Sequence, residues 1–90
     1  MVWTIHYAAS AAASIKGFDP QIQRRIRAAI KALAEEPERG KALRFSLKGL
    51  RSWRTGDFRI VYRIIKERIE VIVIAAGHRQ EVYERLRKRL

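Results

Sequence analysis

The 90-residue chain predicts an α+β fold: an N-terminal strand, an αα-hairpin, a three-stranded antiparallel meander and a short C-terminal helix. The meander and the first strand would make a four-stranded sheet with the helices packed on one face. Three observations carry this expectation. From Phe58 to Ile65 the side chains alternate with the period of two that a pleated strand imposes. Asp19-Pro20 opens a segment in which Ile22, Ile26, Ala29, Ile30 and Leu33 form one apolar stripe at helical spacing, with Arg24, Arg25, Arg27 and Lys31 largely off it. Ile69 to Ala76 is apolar and rich in β-branched residues apart from Glu70, the pattern of a strand buried on both faces.

The elements follow in chain order. Val2 to Tyr7 sets Trp3, Ile5 and Tyr7 against Val2, Thr4 and His6, a first strand for the interior or an edge of the sheet. His6, on the more polar side, is expected to be partly buried and satisfied by backbone rather than to act as a ligand. Ala8 to Lys16 is rich in alanine, the best helix former, and Gly17 is expected to end that helix in the left-handed conformation. Asp19 reads as the N-cap and Pro20 as the first residue of a second helix that runs to about Glu36 and is closed by Pro37 and Gly40. Leu43, Phe45, Leu47 and Leu50 interleave with Lys41, Arg44, Lys48 and Arg51, so the connecting segment is expected to anchor its apolar side chains on the core while its charges reach outward. Leu50 to Thr55 is then a short strand, Gly56-Asp57 a tight turn, and Phe58 to Ile65 the next strand. A second hairpin passes through Lys66, Glu67 and Arg68 to the strand that Gly77 ends. Gln80 to Leu90 has helical composition, with Val82, Leu86 and Leu90 spaced by four, Tyr83 one step round the turn, and a basic end (Arg85, Arg87, Lys88, Arg89) that suits solvation at the negative end of a helix dipole.

At this length one domain, residues 1–90, with one core is expected. The absence of cysteine excludes a disulfide framework or a thiolate metal site and suits a reducing cytosol. No basic segment followed by an apolar one opens the chain, and the Ala8 to Ala13 run is too weakly hydrophobic for a signal or a span, so a cytoplasmic protein without membrane association is expected. Twenty Lys and Arg against nine Asp and Glu give a net charge of +11 and a pI near 11.1. Such a field attracts nucleic acid or an acidic protein partner. It concentrates in Lys41 to Arg68, with nine basic residues and two acidic ones. Within that stretch Arg59 and Arg63 share one face of a strand, either as solvated surface or as a rigid platform for phosphate.

The order of elements, together with L-R-S-W-R-T-G-D-F-R-I-V-Y-R-I (residues 50–64) and V-I-A-A-G-H-R-Q-E-V-Y (residues 73–83), resembles the RelE branch of the RelE/ParE superfamily of toxins from type II toxin-antitoxin modules. The resemblance covers nearly the whole chain. It implies a ribosome-dependent endoribonuclease that cuts mRNA in the ribosomal A site with contacts to 16S rRNA, needs neither metal nor cofactor, and is held inactive by a cognate antitoxin. Residue by residue, it implies catalytic roles for Arg59, Arg79 and Tyr83. Two lysines that contribute in the best-known branch align with Leu50 and Ser52, so Lys48, Arg51, Arg54 and Arg63 are the expected RNA- and phosphate-binding cations, and His78 stands as a replacement acid or base.

Cleaving RNA without a metal requires in-line attack by the 2′-OH on its own phosphorus. That needs a base for the hydroxyl, cations for the charge that builds on phosphate, and an acid for the leaving oxygen. Arg59 and Arg79 suit the second task. Tyr83 can handle a proton or stack on a splayed base, and His78 can serve as acid or base. Two other outcomes fit the same residues: a ParE-like toxin that inhibits DNA gyrase without chemistry of its own, or a member that binds RNA or ribosomes without cutting.

Overall fold

The computed structural model describes residues 2–89, with side chains for all but residues 79, 80 and 89. In chain order the elements are β1 (Thr4–Tyr7), α1 (Ala9–Lys16), α2 (Pro20–Glu35), β2 (Lys41–Ala42), β3 (Arg51–Thr55), β4 (Phe58–Ile65), β5 (Glu70–His78) and α3 (Arg79–Arg89), with short 3-10 turns at Pro37–Arg39, Phe45–Leu47 and Lys66–Arg68. The strands form one five-stranded sheet in the order β1-β5-β4-β3-β2. β2 to β5 pair antiparallel, and β1 lies parallel to β5 at the opposite edge from β2.

The α+β architecture is the expected one, with differences in detail; β5, for one, runs on through Gly77 to His78 instead of ending at Gly77. A fifth strand is present: Lys41 pairs with Ser52 and Ala42 with Arg51, a pairing two residues long and too short to leave a periodic trace in sequence. The helices cover both faces. Ile15, Ile26, Ile30 and Leu33 of α1 and α2 pack with Ile60, Tyr62, Val71 and Val73 on one side. Val82 and Leu86 of α3 pack with Leu47, Leu50 and Val61 on the other, because a sheet apolar on both faces must be covered on both. Gly17 caps α1 in the right-handed conformation, φ −79° and ψ −12°, rather than the left-handed one. His6 is exposed, its Nε2 3.1 Å from Oε2 of Glu70, so its partner is a side chain on the neighbouring strand and not backbone.

Local signals explain most boundaries. The Asp19 carboxylate accepts from the backbone N–H groups of Gln21 (3.0 Å) and Ile22 (3.2 Å), with Pro20 at the first helical position. Asp19→Ala is therefore expected to lower stability by about 1 kcal/mol, read as a fall of about 4–8 °C in Tm. Gly56 takes φ +61° while Asp57 does not have a positive φ, the two-residue pattern with glycine first that matches the twist of β3 and β4.

One irregularity decides what reaches the far end of the sheet. Pairing steps from Val61–Ala75 to Tyr62–Val73 and skips Ile74. Ile74 and Ala75 thus both join the α3 side, while Ala76 returns with Val73 to the α1–α2 side. Beyond this bulge His78 lies opposite Phe58 and Gly77 opposite Arg59. Among the described residues no helix is long and apolar enough to cross a membrane.

Candidate functional site

On the α3 side of the sheet an open hollow of about 560 Å³ is bordered by Lys41 of β2, Arg44 and Phe45 of the following segment, Arg59 of β4, and Tyr83 and Arg87 of α3. Strand alternation, strand register and helix periodicity place four of them. Alternation along β4 places Phe58, Ile60 and Tyr62 in the α1–α2 core and turns Arg59 to the other face. Gly77 stands across from it on β5, so no side chain crowds it from that strand. The β2–β3 register puts Lys41 beside Ser52 on this same face. On α3, Val82 and Leu86 are buried, which leaves Tyr83 and Arg87, four residues apart, together along the flank of the helix.

The polar geometry is specific. The Tyr83 hydroxyl lies 2.7 Å from the hydroxyl of Ser52, which is 7% exposed, so α3 is tied to β3 through two groups that can each donate or accept. The guanidinium carbon of Arg59 lies 5.8 Å from the centroid of the Tyr83 ring. Among the described residues the buried Nε–H of Arg59 has no acceptor. Among the described residues lining the hollow the charged ones are Lys41, Arg44, Arg59 and Arg87, and none is acidic. A cationic lining of this kind suits an anion, and the planar fork of an arginine matches the geometry of phosphate oxygens.

The structure brings together only some of the residues expected from sequence. Arg59 and Tyr83 meet. Arg79 begins α3 directly after β5, and its side chain lies outside the described residues, as does Leu90. His78 is on the opposite face: its ring centroid is 4.2 Å from that of Phe58, and it borders a separate hollow with Phe18, Glu81 and Lys88. Arg54 pairs directly across from Arg59, and its Nε donates to the Gly56 carbonyl at 3.2 Å beside the turn. Arg51 alternates to the α2 side and donates to the Glu38 carbonyl at 3.0 Å. Lys48 and Arg63 are exposed and do not line the hollow. Val61, fully buried among Leu47, Leu50, Val82 and Leu86, separates Arg63 from Arg59 along β4.

Lys41, Arg44, Phe45 and Arg87 carry no signal in the sequence that marks them as lining this hollow. The first three lie in the connecting segment, whose path depends on the two-residue strand β2, and Arg87 read as part of a solvated tail. Phe45 departs furthest from expectation. It does not anchor on the core but stands 92% exposed at φ +57°, while Leu47, two residues on, is buried. Among the described residues no three His, Cys, Asp or Glu side chains converge as metal ligands would.

Comparison with known proteins identifies relatives of the chain and of its fold. A family model described as the ParE toxin of type II toxin-antitoxin systems, parDE, matches residues 5–83. Toxin RelG of Mycobacterium tuberculosis is 33% identical over 87 residues, covering 94% of this chain and 100% of that protein. A chain in the crystal structure of the toxin-antitoxin complex RelBE2 from Mycobacterium tuberculosis superposes with a TM-score of 0.83 at 31% identity, over 88% of this chain and 93% of that one. The isolated E. coli RelE toxin has the same fold, with a TM-score of 0.73 at 22% identity over 97% of each chain.

Proposed function

The chain belongs to the RelE/ParE superfamily of toxins from type II toxin-antitoxin systems, and on that premise we propose that it is an endoribonuclease that cuts mRNA on the ribosome. The observation that carries this reading is the Arg59–Tyr83 pair in a hollow whose described charged lining is entirely cationic. Substrate phosphate sits against Arg59, whose fork stabilises the charge that builds on the non-bridging oxygens as the 2′-OH attacks. The Tyr83 hydroxyl, held by Ser52, handles a proton at the attacking or leaving oxygen. Arg79 supplies a second guanidinium from the start of α3. Lys41, Arg44 and Arg87 take the flanking phosphates, with Arg54, Lys48, Arg51 and Arg63 as an outer field that steers RNA and ribosomal RNA toward the site. His78, on the other face of the sheet, is left out of the proton transfers. Single-domain organisation over residues 1–90, work in the cytoplasm where ribosomes are, and chemistry without a cofactor belong to the same reading.

A cognate antitoxin holds the protein inactive, as the solved relatives described as toxin-antitoxin complexes suggest. It is expected to be acidic enough to offset part of the +11 and to lay a helix over the αα-hairpin or the meander.

The test is Tyr83→Phe, assayed by single-turnover cleavage of mRNA on programmed ribosomes. The expected result is a rate lower by about 100-fold or more, with the fold retained and stability down by only about 1 kcal/mol from the unpartnered Ser52 hydroxyl. Unchanged cleavage by that variant would remove the assignment. The match to the ParE family model favours one alternative, a toxin that inhibits DNA gyrase without cutting RNA. Gyrase inhibition by the wild type with mRNA left intact would establish it.

A further inference from the structure

We propose that Phe45 is a stacking platform for one unpaired nucleobase of the RNA, an inference that rests on the function proposed above and adds a base subsite to it. A phenylalanine that served the fold would be buried. Phe45 is 92% exposed, so it contributes almost no burial. Its φ of +57° is the left-handed conformation that side chains with a Cβ adopt at a cost of about 1–2 kcal/mol. The segment is built around this outward turn. Leu43 and Leu47, on either side, pack with Val61, Val82 and Leu86, and Leu47 is 3% exposed. The 3-10 turn at Phe45–Leu47 is closed by Lys48 N–H donating to the Phe45 carbonyl at 3.0 Å. The ring thus projects from a hydrogen-bonded turn whose flanking leucines pack on the core.

Its surroundings select the ligand. Phe45 borders the same hollow as Lys41, Arg44, Arg59 and Arg87. Phosphates engaged by those cations would leave the base of an adjoining nucleotide within reach of the ring. An electropositive groove edged by an aromatic side chain is the arrangement that binds single-stranded nucleic acid, because cations track the backbone while any base can stack on the ring. An apolar protein helix would place its weight on a continuous apolar surface, whereas here the ring follows Arg44 directly and lies among cations.

The experiment measures the affinity of short single-stranded RNA with 2′-O-methyl sugars, which cannot be cut, and of matched oligonucleotides with one abasic residue moved stepwise along the strand. Wild type is expected to lose about tenfold in affinity at one abasic position. Phe45→Gly is expected to bind the intact strand about tenfold more weakly and to be indifferent to that abasic position. Its Tm should not fall, since glycine accepts the positive φ. Phe45→Trp should keep both the affinity and the discrimination. The inference is overturned if Phe45→Gly binds as tightly as wild type, if its loss is equal on intact and abasic strands, or if wild type shows no preference for a base. Cleavage of mRNA on ribosomes is scored separately, so the base subsite can fail while the proposed function stands.

Discussion

Arg59→Ala is expected to slow single-turnover cleavage of ribosome-bound mRNA by about 100- to 1,000-fold, the cost of removing one preorganised group that stabilises transition-state charge. The loss should fall on the chemical step more than on binding, since Lys41, Arg44 and Arg87 would remain to hold the flanking phosphates. Arg59→Lys separates charge from shape. A lysine keeps the cation but loses the planar fork, so about a tenfold defect is expected. Stability should move little in either variant, because among the described residues the Arg59 Nε–H has no acceptor whose loss could be felt. If growth arrest persisted in Arg59→Ala with mRNA intact and gyrase inhibited, the non-enzymatic alternative would replace the ribonuclease reading. If cleavage continued at the wild-type rate, the hollow would not be the reaction centre.

How much of this was readable beforehand depended on the range of the interactions involved. β4 spans Phe58–Ile65 as the alternation implied, and α2 starts at Pro20 under an Asp19 cap, because both are fixed by residues a few positions apart. The Arg59 side of β4 followed from the same alternation. What could not be read was set by partners far away in the chain. The face that α3 covers depends on Val82 and Leu86 finding Leu47, Leu50 and Val61. The parallel placement of β1 beside β5 depends on backbone pairing of Thr4 with Glu70. The bulge at Ile74 has no composition of its own, yet it determines which face His78 takes relative to Val73. Counting basic residues could not separate Arg51 from Lys41, because a two-residue strand and its register send one to the α2 side and the other to the hollow.

The other large effect is expected at Gly40, far from any chemistry. Tyr62 is fully buried, and its hydroxyl donates to the Pro37 carbonyl at 2.6 Å and accepts from the Gly40 N–H at 3.0 Å. Arg51 donates to the Glu38 carbonyl, and the Arg39 guanidinium lies 4.8 Å from the centre of the Trp53 ring. The turn from α2 into β2 is thus fastened to the sheet from below at every residue from Pro37 to Gly40. Gly40 has ordinary extended angles, φ −69° and ψ 157°, so its reason is space: a Cβ there would meet the Tyr62 hydroxyl and come within 2.9 Å of the Ser52 carbonyl oxygen. Gly40→Ala is expected to cost about 2–3 kcal/mol through overpacking and the displaced hydrogen bonds, seen as a fall of about 10–20 °C in Tm. Tyr62→Phe should cost about 2 kcal/mol by leaving the Pro37 carbonyl and the Gly40 N–H buried without their partner. The double variant should fall short of the sum, since both remove the same contact. Burial also pushes the Tyr62 phenol above its ordinary value near 10, opposed in part by its hydrogen bond to Gly40. The unfolded chain therefore loses this proton first, so the contribution of Tyr62 is fully present below pH of about 10 and is lost as pH climbs through the raised folded value. The stability gap between wild type and Tyr62→Phe, measured by urea unfolding, is expected to be constant from neutral pH to about 9 and to narrow above about 10. A gap that widened there would mean that the phenolate is the form the fold prefers. Because the fastened turn delivers Lys41 to the hollow, Gly40→Ala is also expected to weaken RNA binding at temperatures where the rest of the protein is still folded.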